Sequence, residues 1–471
     1  MYSKREKVLV EDILDIFHRD ENIVSATVVG SILDRSIEEV SDIDLIVIVN
    51  SLSKESIKDI KNNLLELTPI KYDLQKIFEI NDSFGPLKKE SEQKIIFHLM
   101  VYDIKDHIEH VNTSPFTCYD WERSTAYVKK SLSDIYSARL LMLQDFSTAR
   151  RGLEDYLEDI KNERISYRIY EEKNNVLIQK KQYYKLDTKH KLEFSYHIIK
   201  NSVSNLLKIL TNKNIVMNDE DFKKNWKLYF PNLYKKYFEI FIKLKNNKIL
   251  KIYDDQSYIN SIPNFLEELN VEIENIYKES KKIFMIRHLK TDLNDGRFFG
   301  QKYDIPITPT NKKWKFLNDN VQDPLIFTSP LLRSLQTVEK FGYKKYTADN
   351  RLMELNYGLA DGLEFDQFIE QNPEFKNKIK NNIDFKFPEG ENYTQMYERV
   401  SEFVNEIKTS SIVFTHQGPI RAMIGKSLNI ESSEWYKISV PHATPVEFIS
   451  YKNNILLNID RKLLNSMVKN I

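Results

Sequence analysis

Cysteine is almost absent from the sequence, because Cys118 is the single one among 471 residues. One cysteine cannot form a disulfide within the chain, and this usage is typical of proteins in a reducing compartment. No apolar run approaches the length of a membrane span, and the first twenty residues mix charged with apolar side chains. We therefore expect a cytoplasmic protein with neither a signal peptide nor a membrane segment.

Net charge is absent as well, because 69 Lys and Arg residues balance 69 Asp and Glu residues. A neutral chain has no overall attraction to nucleic acid or to a membrane surface. Glycine is scarce and unevenly placed, since only Gly30, Gly85 and Gly152 of the 11 precede residue 280. The chain is too long for one ordinary domain. Together these features predict domains at residues 1–115, 116–280 and 281–471.

The stretch from Ile283 to Thr308 carries the clearest chemistry. It begins with a short apolar run that predicts a buried strand, and Arg287 and His288 follow directly. A polar, glycine-containing loop comes next. A guanidinium forks onto phosphate oxygens, and an imidazole nitrogen is a usable nucleophile. The arrangement therefore favours chemistry on a phosphate group.

Four later stretches fit the same site. Residues 325–337 predict a strand, a turn and a helix that carries Arg333, and residues 352–362 place Glu354 before a glycine turn. Residues 387–400 place Glu391 at the start of a helix with Arg399 farther along it. Residues 411–425 predict a buried strand that ends in His416, followed by a helix.

In identity, order and spacing these stretches resemble the histidine phosphatase family, the phosphoglycerate-mutase-like group, from about residue 281 onward. The resemblance implies a three-layer α/β/α fold and no cofactor for this domain. It implies that His288 is the nucleophile that becomes phosphohistidine and that Glu354 is the general acid. The groups implied to surround the phosphoryl oxygens are Arg287, Arg333 and His416, and those implied to line the mouth of the phosphate pocket are Asn294 and Gln301.

Two positions depart from the family pattern. The family usually has glycine after the Arg-His pair, where this chain has Leu289, and often after the second histidine, where it has Gln417 followed by Gly418. Neither change removes a catalytic atom, although both can reshape specificity. The short interval between Glu354 and Glu391 leaves room for one or two helices, as in the family's small phosphatases. We therefore favour hydrolysis over mutase transfer.

The N-terminal region carries a second pattern. Residues 23–29 predict a strand that ends in Gly30 and Ser31, and residues 41–49 predict another strand containing Asp42 and Asp44. Alternation along that strand puts both carboxylates on one face, where they would repel each other unless a cation lies between them. Mg²⁺ that also binds triphosphate oxygens is the natural occupant. Gly30 lets the backbone approach phosphates, and Ser31 can hydrogen-bond them.

This arrangement resembles the polymerase-beta-type nucleotidyltransferase superfamily over roughly the first 110 residues. The resemblance implies an α+β core with a mixed sheet and Mg²⁺-dependent transfer from an NTP, with pyrophosphate released. It also requires a third carboxylate on a strand next to the Asp-x-Asp strand. Asp73 is the first candidate and Asp103 the alternative, whereas His98 is interpreted as structural.

The middle of the chain predicts a helical region, and the resemblance to the nucleotidyltransferases implies that this region closes over the nucleotide or the acceptor. Residues 124–146 and 191–210 have apolar side chains at three- and four-residue spacing. Residues 222–248 combine lysines with aromatic side chains. The aromatic residues are interpreted as core and the lysines as solvated, and a face that grips the acceptor is the alternative.

Together the patterns predict a multi-domain α/β enzyme with two activities. The first hypothesis is Mg²⁺-dependent nucleotidyl transfer to a small-molecule acceptor combined with phosphomonoester hydrolysis in the same metabolite-activation pathway. Nucleic-acid end processing, on tRNA or another RNA, is the second hypothesis. A third has the N-terminal domain as a degenerate nucleotide-binding regulator, which the intact Asp42 and Asp44 argue against.

Overall fold

The structure is a computed structural model that describes residues 4–36, 42–83, 93–173, 176–211, 218–253, 259–293, 296–316, 321, 323–381, 383–452 and 454–469. The chain divides into two compact units. The first comprises residues 1–141, 145–207 and 216–272, and the second comprises residues 142–144, 208–215 and 273–471. No helix in the described part of the chain is both long enough and apolar enough to span a membrane.

A mixed sheet organises the first unit. Its described strands are β1 (Ile23–Val29), β2 (Asp42–Val49), β3 (Ile77–Asn81), β4 (Lys94–Asp103) and β5 (Tyr127–Lys129). Their order across the sheet is β3-β4-β2-β1-β5. Strand β4 is parallel to both β2 and β3, whereas β1 is antiparallel to both β2 and β5. The mixed sheet predicted for the N-terminal region is therefore confirmed.

The helices before residue 280 surround this sheet and extend beyond it. They are α1 (Lys4–His18), α2 (Lys54–Leu65), α3 (Ile104–Thr113), α4 (Pro115–Trp121), α5 (Leu132–Ile135), α6 (Asp145–Thr148), α7 (Leu153–Lys161), α8 (Thr188–Thr211), α9 (Asp219–Tyr229), α10 (Pro231–Ile249) and α11 (Ile262–Glu279). Apolar residues of α1 and α2 pack on the face of the sheet that contains Ile43 and Leu45. Side chains alternate along a strand, so Asp42 and Asp44 lie on the opposite face.

The middle region is less helical than predicted. A hairpin of two long strands, β6 (Arg164–Lys173) and β7 (Val176–Lys185), lies where the sequence predicted mainly turns and helices. The helix predicted over residues 124–146 is wrong, because that segment holds β5 and two single-turn helices. The helix predicted over 191–210 is confirmed as α8. Residues 222–248 form α9 and α10, and their aromatic side chains, including the fully buried Trp226, belong to the core.

The second unit is built on another mixed sheet. Its described strands are β8 (Lys281–Arg287), β9 (Leu325–Thr328), β10 (Thr347–Ala348), β11 (Ser411–Thr415), β12 (Pro445–Tyr451) and β13 (Asn454–Leu457), in the order β10-β9-β11-β8-β12-β13. The first four strands in that order are parallel to one another. Strand β12 is antiparallel to β8, and β13 is antiparallel to β12.

The helices of this unit connect the strands. They are α12 (Leu332–Lys340), α13 (Phe365–Gln371), α14 (Pro373–Lys380), α15 (Tyr393–Glu406), α16 (Gln417–Ser427) and α17 (Arg461–Met467). Helices α13 and α14 fill the interval between Glu354 and Glu391, as its length predicted. The α/β class and the multi-domain arrangement predicted from the sequence are confirmed.

Candidate functional site

Two neighbouring parallel strands of the second unit deliver histidines to the same edge of the sheet. His288 directly follows β8 and His416 directly follows β11, and the two strands pair so that Arg287 lies opposite Thr415. The backbone N–H of His288 donates to the Thr415 carbonyl oxygen at 2.9 Å, which continues the pairing past the strand end. The two imidazole rings are therefore close, with 5.2 Å between their centroids.

A hydrogen bond fixes which nitrogen of His288 can react. Its Nδ1 lies 2.6 Å from the carbonyl oxygen of Leu289. A carbonyl oxygen only accepts, so Nδ1 carries the proton and Nε2 keeps its lone pair. Burial holds the pKa of His288 well below its usual value, and the nearby Arg333 and Arg287 lower it further. The ring is thus a neutral imidazole with a nucleophilic Nε2.

Arg333 reaches the same place from α12 and is held by several acceptors. Its Nε donates to Nδ1 of His416 at 3.1 Å, and its Nη2 donates to the Gly300 carbonyl oxygen at 2.9 Å. Because Nδ1 of His416 accepts, Nε2 carries the proton and lies 2.7 Å from the Ser329 hydroxyl. Arg333 is 3% exposed, so its charge is shielded from solvent.

Arg287 supplies a second, half-buried cation. Its Nη1 donates to the Val440 carbonyl oxygen at 2.7 Å. Burial lowers the pKa of Arg287 to about 10, with Glu354 opposing this shift and Arg421 adding to it. The guanidinium remains a cation at neutral pH and can fork onto phosphate oxygens.

Glu354 lies against the start of α16. Its Oε1 accepts the backbone N–H of Leu355 at 2.8 Å and that of Gly418 at 2.9 Å. A Cβ atom at residue 418 would lie 2.1 Å from Oε1, so this close approach requires glycine. These bonds orient the carboxyl group and leave Oε2 as the oxygen for proton transfer.

The backbone at Glu354 is supported by a second set of side chains. Arg399 forms an ion pair with Glu391, with Nη2 2.6 Å from Oε1, and it also donates to the Glu354 carbonyl oxygen at 3.0 Å. The side chain of Gln301 donates to the same carbonyl oxygen at 2.7 Å. Gln301 therefore lies beside the site as predicted from the loop, with its amide bound to Glu354. Asn294 lies outside the residues that the structure describes.

In the first unit, Gly30 and Asp44 lie in close contact. Gly30 follows β1 with a φ of 87°, a conformation that favours glycine, and a Cβ there would lie 2.7 Å from Oδ2 of Asp44. Ser31 begins a 3₁₀ helix directly after it. Asp42 is 6% exposed and lies two residues before Asp44 on β2. The predicted Gly-Ser turn and Asp-x-Asp pair are thus brought together.

The expected third carboxylate does not join them. The prediction that Asp73 lies on a strand is wrong, because it ends the 3₁₀ helix Pro69–Tyr72 with a φ of 59° and is exposed. Asp103 does end β4, but it pairs with Val49, five residues along β2 from Asp44, or about 16 Å away. Its side chain accepts the Asp106 N–H at the start of α3.

His98 occupies the position on the neighbouring strand. It lies opposite Asp44 in the pairing of β4 with β2, and its Nδ1 is 3.1 Å from Oδ1 of Asp44. Its Nε2 is 2.9 Å from the Ser83 carbonyl oxygen. An imidazole ring in contact with Asp44 therefore stands where a metal-binding carboxylate was expected. Within the described ranges, no group of three or more His, Cys, Asp or Glu side chains could hold a metal ion.

A basic cavity of about 310 Å³ adjoins these residues. Asp44 and His98 lie in its wall, and four cationic side chains also line it: Arg150, Arg151, Arg168 and Lys181. Arg168 and Lys181 lie opposite each other on the hairpin β6–β7. This cationic wall was not predicted, although the pair of ten-residue runs in which Ile and Tyr recur among Arg, Lys and Gln is a signal for the hairpin itself.

Comparison with family models assigns both regions. The model of the Histidine phosphatase superfamily (branch 1) matches residues 283–456, and the model of Polymerase beta, Nucleotidyltransferase matches residues 11–98. The chain joins a nucleotidyltransferase domain to a histidine phosphatase domain. It is therefore an enzyme, and both resemblances recognised in the sequence are confirmed.

Solved structures resemble the phosphatase domain. The protein TTHB049 from Thermus thermophilus is 25% identical, with a TM-score of 0.30, and the match covers 38% of this chain and 98% of that chain. Phosphoglycerate mutase from the same organism is 24% identical, with a TM-score of 0.29 and coverage of 38% and 99%. A mycobacterial glucosyl-3-phosphoglycerate phosphatase is 19% identical, with a TM-score of 0.31 and coverage of 38% and 97%.

The assignment rests on the family models, because these TM-scores are low. No curated protein matches the chain significantly.

Leu289 and Gln417, the two positions that depart from the family pattern, leave the reacting groups of the phosphatase domain in place. Leu289 presents its backbone carbonyl to His288, and its N–H donates to the Thr337 hydroxyl at 2.9 Å. Gln417 turns its amide toward the Ile438 carbonyl oxygen, and the glycine that Glu354 needs comes one residue later. The contact that fixes the nucleophile is therefore made by the backbone carbonyl of residue 289.

Asp361 and Thr337 shape this domain's site and were not predicted from the sequence, whereas His442 was considered as a residue at the edge of the pocket and interpreted as structural. Asp361 is buried and accepts backbone N–H groups of residues 300–302, at 2.9 to 3.0 Å, which fixes the loop that holds Arg333. Thr337 joins Leu289 to α12. His442 donates from Nδ1 to the His288 carbonyl oxygen at 2.7 Å, and its ring centroid lies 5.4 Å from that of His288.

Proposed function

We propose that this chain is a bifunctional enzyme. Its phosphatase domain hydrolyses a small phosphomonoester through a phosphohistidine at His288, and its nucleotidyltransferase domain transfers a nucleotidyl group to a small-molecule acceptor. The observation that carries the proposal is the buried, neutral His288, whose protonated Nδ1 is bound to the Leu289 carbonyl, so that Nε2 faces a site bordered by guanidinium groups. We also propose a cytoplasmic location, which the single cysteine supports.

Phosphoryl transfer at this site follows from the placement of the groups. Nε2 of His288 attacks the phosphorus, the bond to the alcohol oxygen breaks, and Glu354 gives its proton to that oxygen. Arg287, Arg333 and His416 stabilise the charge on the phosphoryl oxygens. Glu354 then takes a proton from water, which attacks phosphohistidine and releases inorganic phosphate and the free imidazole.

The basic cavity of the first unit supports nucleotide binding. Its arginine and lysine side chains suit the phosphates of an NTP, and they lie in the same wall as Asp44. Mg²⁺ is usually held by one or two carboxylates together with substrate phosphates. Asp42 and Asp44 fit a single Mg²⁺ held in this way, with Gly30 close enough for a phosphate to approach. The described residues do not supply the third carboxylate that two-metal chemistry uses.

A small-molecule acceptor is favoured over nucleic acid. The basic aromatic helices α9 and α10 were the feature that suggested nucleic acid, and their large rings are buried in the helical core. Rings that pack on each other are not free to stack on bases. We therefore propose that both domains act on small metabolites of one activation pathway.

Phosphate release from a broad substrate panel tests the phosphatase. The panel holds nucleoside monophosphates, sugar phosphates, phosphorylated amino alcohols and 5′- and 3′-phosphorylated oligonucleotides, each run beside His288→Ala. Release that depends on His288 and favours a small phosphoester supports the proposal. A preference for oligonucleotide ends would move end processing to first place, and no His288-dependent release would contradict the phosphatase.

Pyrophosphate release tests the transferase. The full chain is incubated with each NTP, Mg²⁺ and the dephosphorylated products of the first panel as acceptors. Pyrophosphate that appears with wild type and disappears in Asp42→Ala/Asp44→Ala supports nucleotidyl transfer. NTP binding without pyrophosphate release over the whole acceptor panel would instead support a regulatory domain.

A further inference from the structure

The phosphatase domain contains a cavity of about 270 Å³ that the proposed reaction does not use. Of the twelve described residues that line it, eight are Phe or Tyr. Only Asp384 and Arg421 carry a full charge at neutral pH, and Asp384 already accepts the backbone N–H groups of Tyr393 and Thr394. The wall is therefore aromatic with one cation.

The rings of this wall support one another. The centroid of Phe298 lies 4.9 Å from that of Tyr357 and 5.6 Å from that of Phe387, and Tyr357 lies 5.0 Å from Phe387. These separations are within the range of favourable aromatic pairs, and the planes are tilted or edge-on. The wall thus presents ring faces and edges in fixed positions, which suits a flat ring better than a flexible chain.

Tyr357 and Arg421 connect the aromatic cavity to the reaction centre. Both line the cavity, and Tyr357 lies three residues after Glu354. A Cβ atom at residue 300, whose carbonyl oxygen accepts from Arg333, would lie 2.9 Å from the Tyr357 ring. A substrate whose phosphate lies beside Arg333 can therefore extend its alcohol portion past Tyr357 into the cavity.

We propose that the phosphatase domain acts on phosphomonoesters whose alcohol carries an aromatic ring, and that the ring binds among Phe298, Phe365, Phe387 and Tyr436. This assignment rests on the proposed phosphatase function and adds the substrate class. The volume supports it, because an apolar cavity of about 150 Å³ is enough to bind benzene. The cavity here accommodates one or two fused rings, and Arg421 at its edge favours the face of an aromatic ring over a saturated one.

Three matched substrates test whether an aromatic ring is preferred, while the leaving group remains a primary alcohol in each. Propyl phosphate, 3-phenylpropyl phosphate and 3-cyclohexylpropyl phosphate are all esters of primary alcohols, so protonation of the leaving oxygen is comparable. The full chain is assayed for kcat/KM with each. We expect the phenyl compound to exceed propyl phosphate by roughly 10- to 100-fold, the range that burial of one aromatic side chain supports, and to exceed the cyclohexyl compound as well.

A variant and its control localise the effect. Phe365 and Tyr436 line the cavity and are 46% and 43% exposed, so Phe365→Ala/Tyr436→Ala removes two rings with little cost to folding. Tyr346 is 37% exposed and lies outside the cavity wall, so Tyr346→Ala is the matched control. The double variant is expected to lose most of the phenyl preference, measured as the ratio of kcat/KM for the phenyl compound to that for propyl phosphate, and the control to keep this ratio.

The outcomes separate this inference from the function on which it rests. Equal kcat/KM for the phenyl and propyl compounds, with release still dependent on His288, overturns the aromatic class and leaves the phosphatase intact. Equal values for phenyl and cyclohexyl compounds overturn the need for an aromatic ring. A phenyl preference that survives Phe365→Ala/Tyr436→Ala overturns the assigned cavity. No release with any substrate overturns both proposals.

Discussion

The phosphatase site and the nucleotidyltransferase site differ in how their parts are held. In the phosphatase domain, the side chains of His288, Arg333 and Glu354 are each fixed by hydrogen bonds to backbone groups. In the nucleotidyltransferase domain, Asp42 and Asp44 share one strand, and their neighbour across the sheet is His98. The first site is therefore preorganised by the protein, whereas we propose that the second depends on a nucleotide and its metal to bring charges together.

This difference indicates how each site should respond to change. A preorganised site fails when one group is removed or displaced, because its donors were aligned for the transition state. A site that the substrate completes should depend on its carboxylates and tolerate changes at the neighbouring position.

The largest expected effect is from His288→Ala. Removing the nucleophile should lower phosphate release by roughly 10⁴-fold or more, because loss of a covalent nucleophile removes the reaction path itself. Pyrophosphate release should stay at the wild-type level, which makes the second activity the internal control. Measuring both products from one preparation checks this, and loss of both activities in a folded protein would argue against two independent sites.

Glu354→Gln should reduce the rate by roughly 10²–10⁴-fold with alkyl phosphates, since it removes general acid–base help. The loss should be smaller with p-nitrophenyl phosphate, whose leaving group needs no proton. Steady-state kinetics with both substrates provide the measurement. Equal losses with the two substrates would exclude Glu354 as the acid.

Moving the Glu354 carboxyl group without replacing the residue should have an intermediate effect on phosphate release. In Gly418→Ala the new Cβ would lie 2.1 Å from Oε1 of Glu354, so the carboxyl group must shift, and we expect kcat with alkyl phosphates to fall roughly 10- to 100-fold. Gly425→Ala is the control on the same helix, because its Cβ would meet the Trp435 ring at 2.2 Å.

Both glycine variants should lower the melting temperature, and only Gly418→Ala should change the ratio of alkyl to p-nitrophenyl rates. An unchanged ratio in Gly418→Ala would mean that the position of the carboxyl group is not set by α16.

The two sites also differ in how far sequence alone could predict them. His288, His416 and Arg333 each follow a buried strand closely, and β8, β11 and β9 are parallel neighbours, so local motifs were enough to bring them together. A correct prediction of the third carboxylate required knowing which strand pairs with β2. Pro69 begins a 3₁₀ helix where a strand was expected, and β4, not the segment of Asp73, lies beside β2.

The hairpin β6–β7 could have been found from its sequence. In β6, Ile165, Tyr167 and Ile169 alternate with polar residues, and β7 is rich in β-branched and aromatic residues, which predicts strands. Its contribution to the basic cavity could not have been found, because that depends on packing between elements far apart in sequence. The same is true of the aromatic cavity, whose rings come from residues 298 to 436.

His98→Ala should have a smaller effect, and on the other activity. It removes the bond from Nδ1 to Oδ1 of Asp44, and hydrogen bonds to charged groups contribute roughly 1.5–3 kcal/mol. We expect about a tenfold loss of pyrophosphate release with unchanged phosphate release. His98→Asn keeps a donor near the position of Nδ1 and should recover part of the rate. Recovery no better than with alanine would mean that His98 does not orient Asp44.

The smallest expected effect is that His288 does not become protonated as the pH falls from 7 to 6. Burial and the neighbouring guanidinium groups lower its pKa, so the neutral form stays favoured as the pH falls from 7 to 6, whereas an ordinary imidazole would be largely protonated by pH 6. Nitrogen chemical shifts in histidine-labelled protein measure this, with His288→Ala assigning the signal. The signal should keep its neutral shifts, with a proton on Nδ1 and none on Nε2. A midpoint at or above 6.5 would mean that the site does not hold the nucleophile ready by charge and burial, and the contrast with the substrate-completed site would then rest on Glu354 alone.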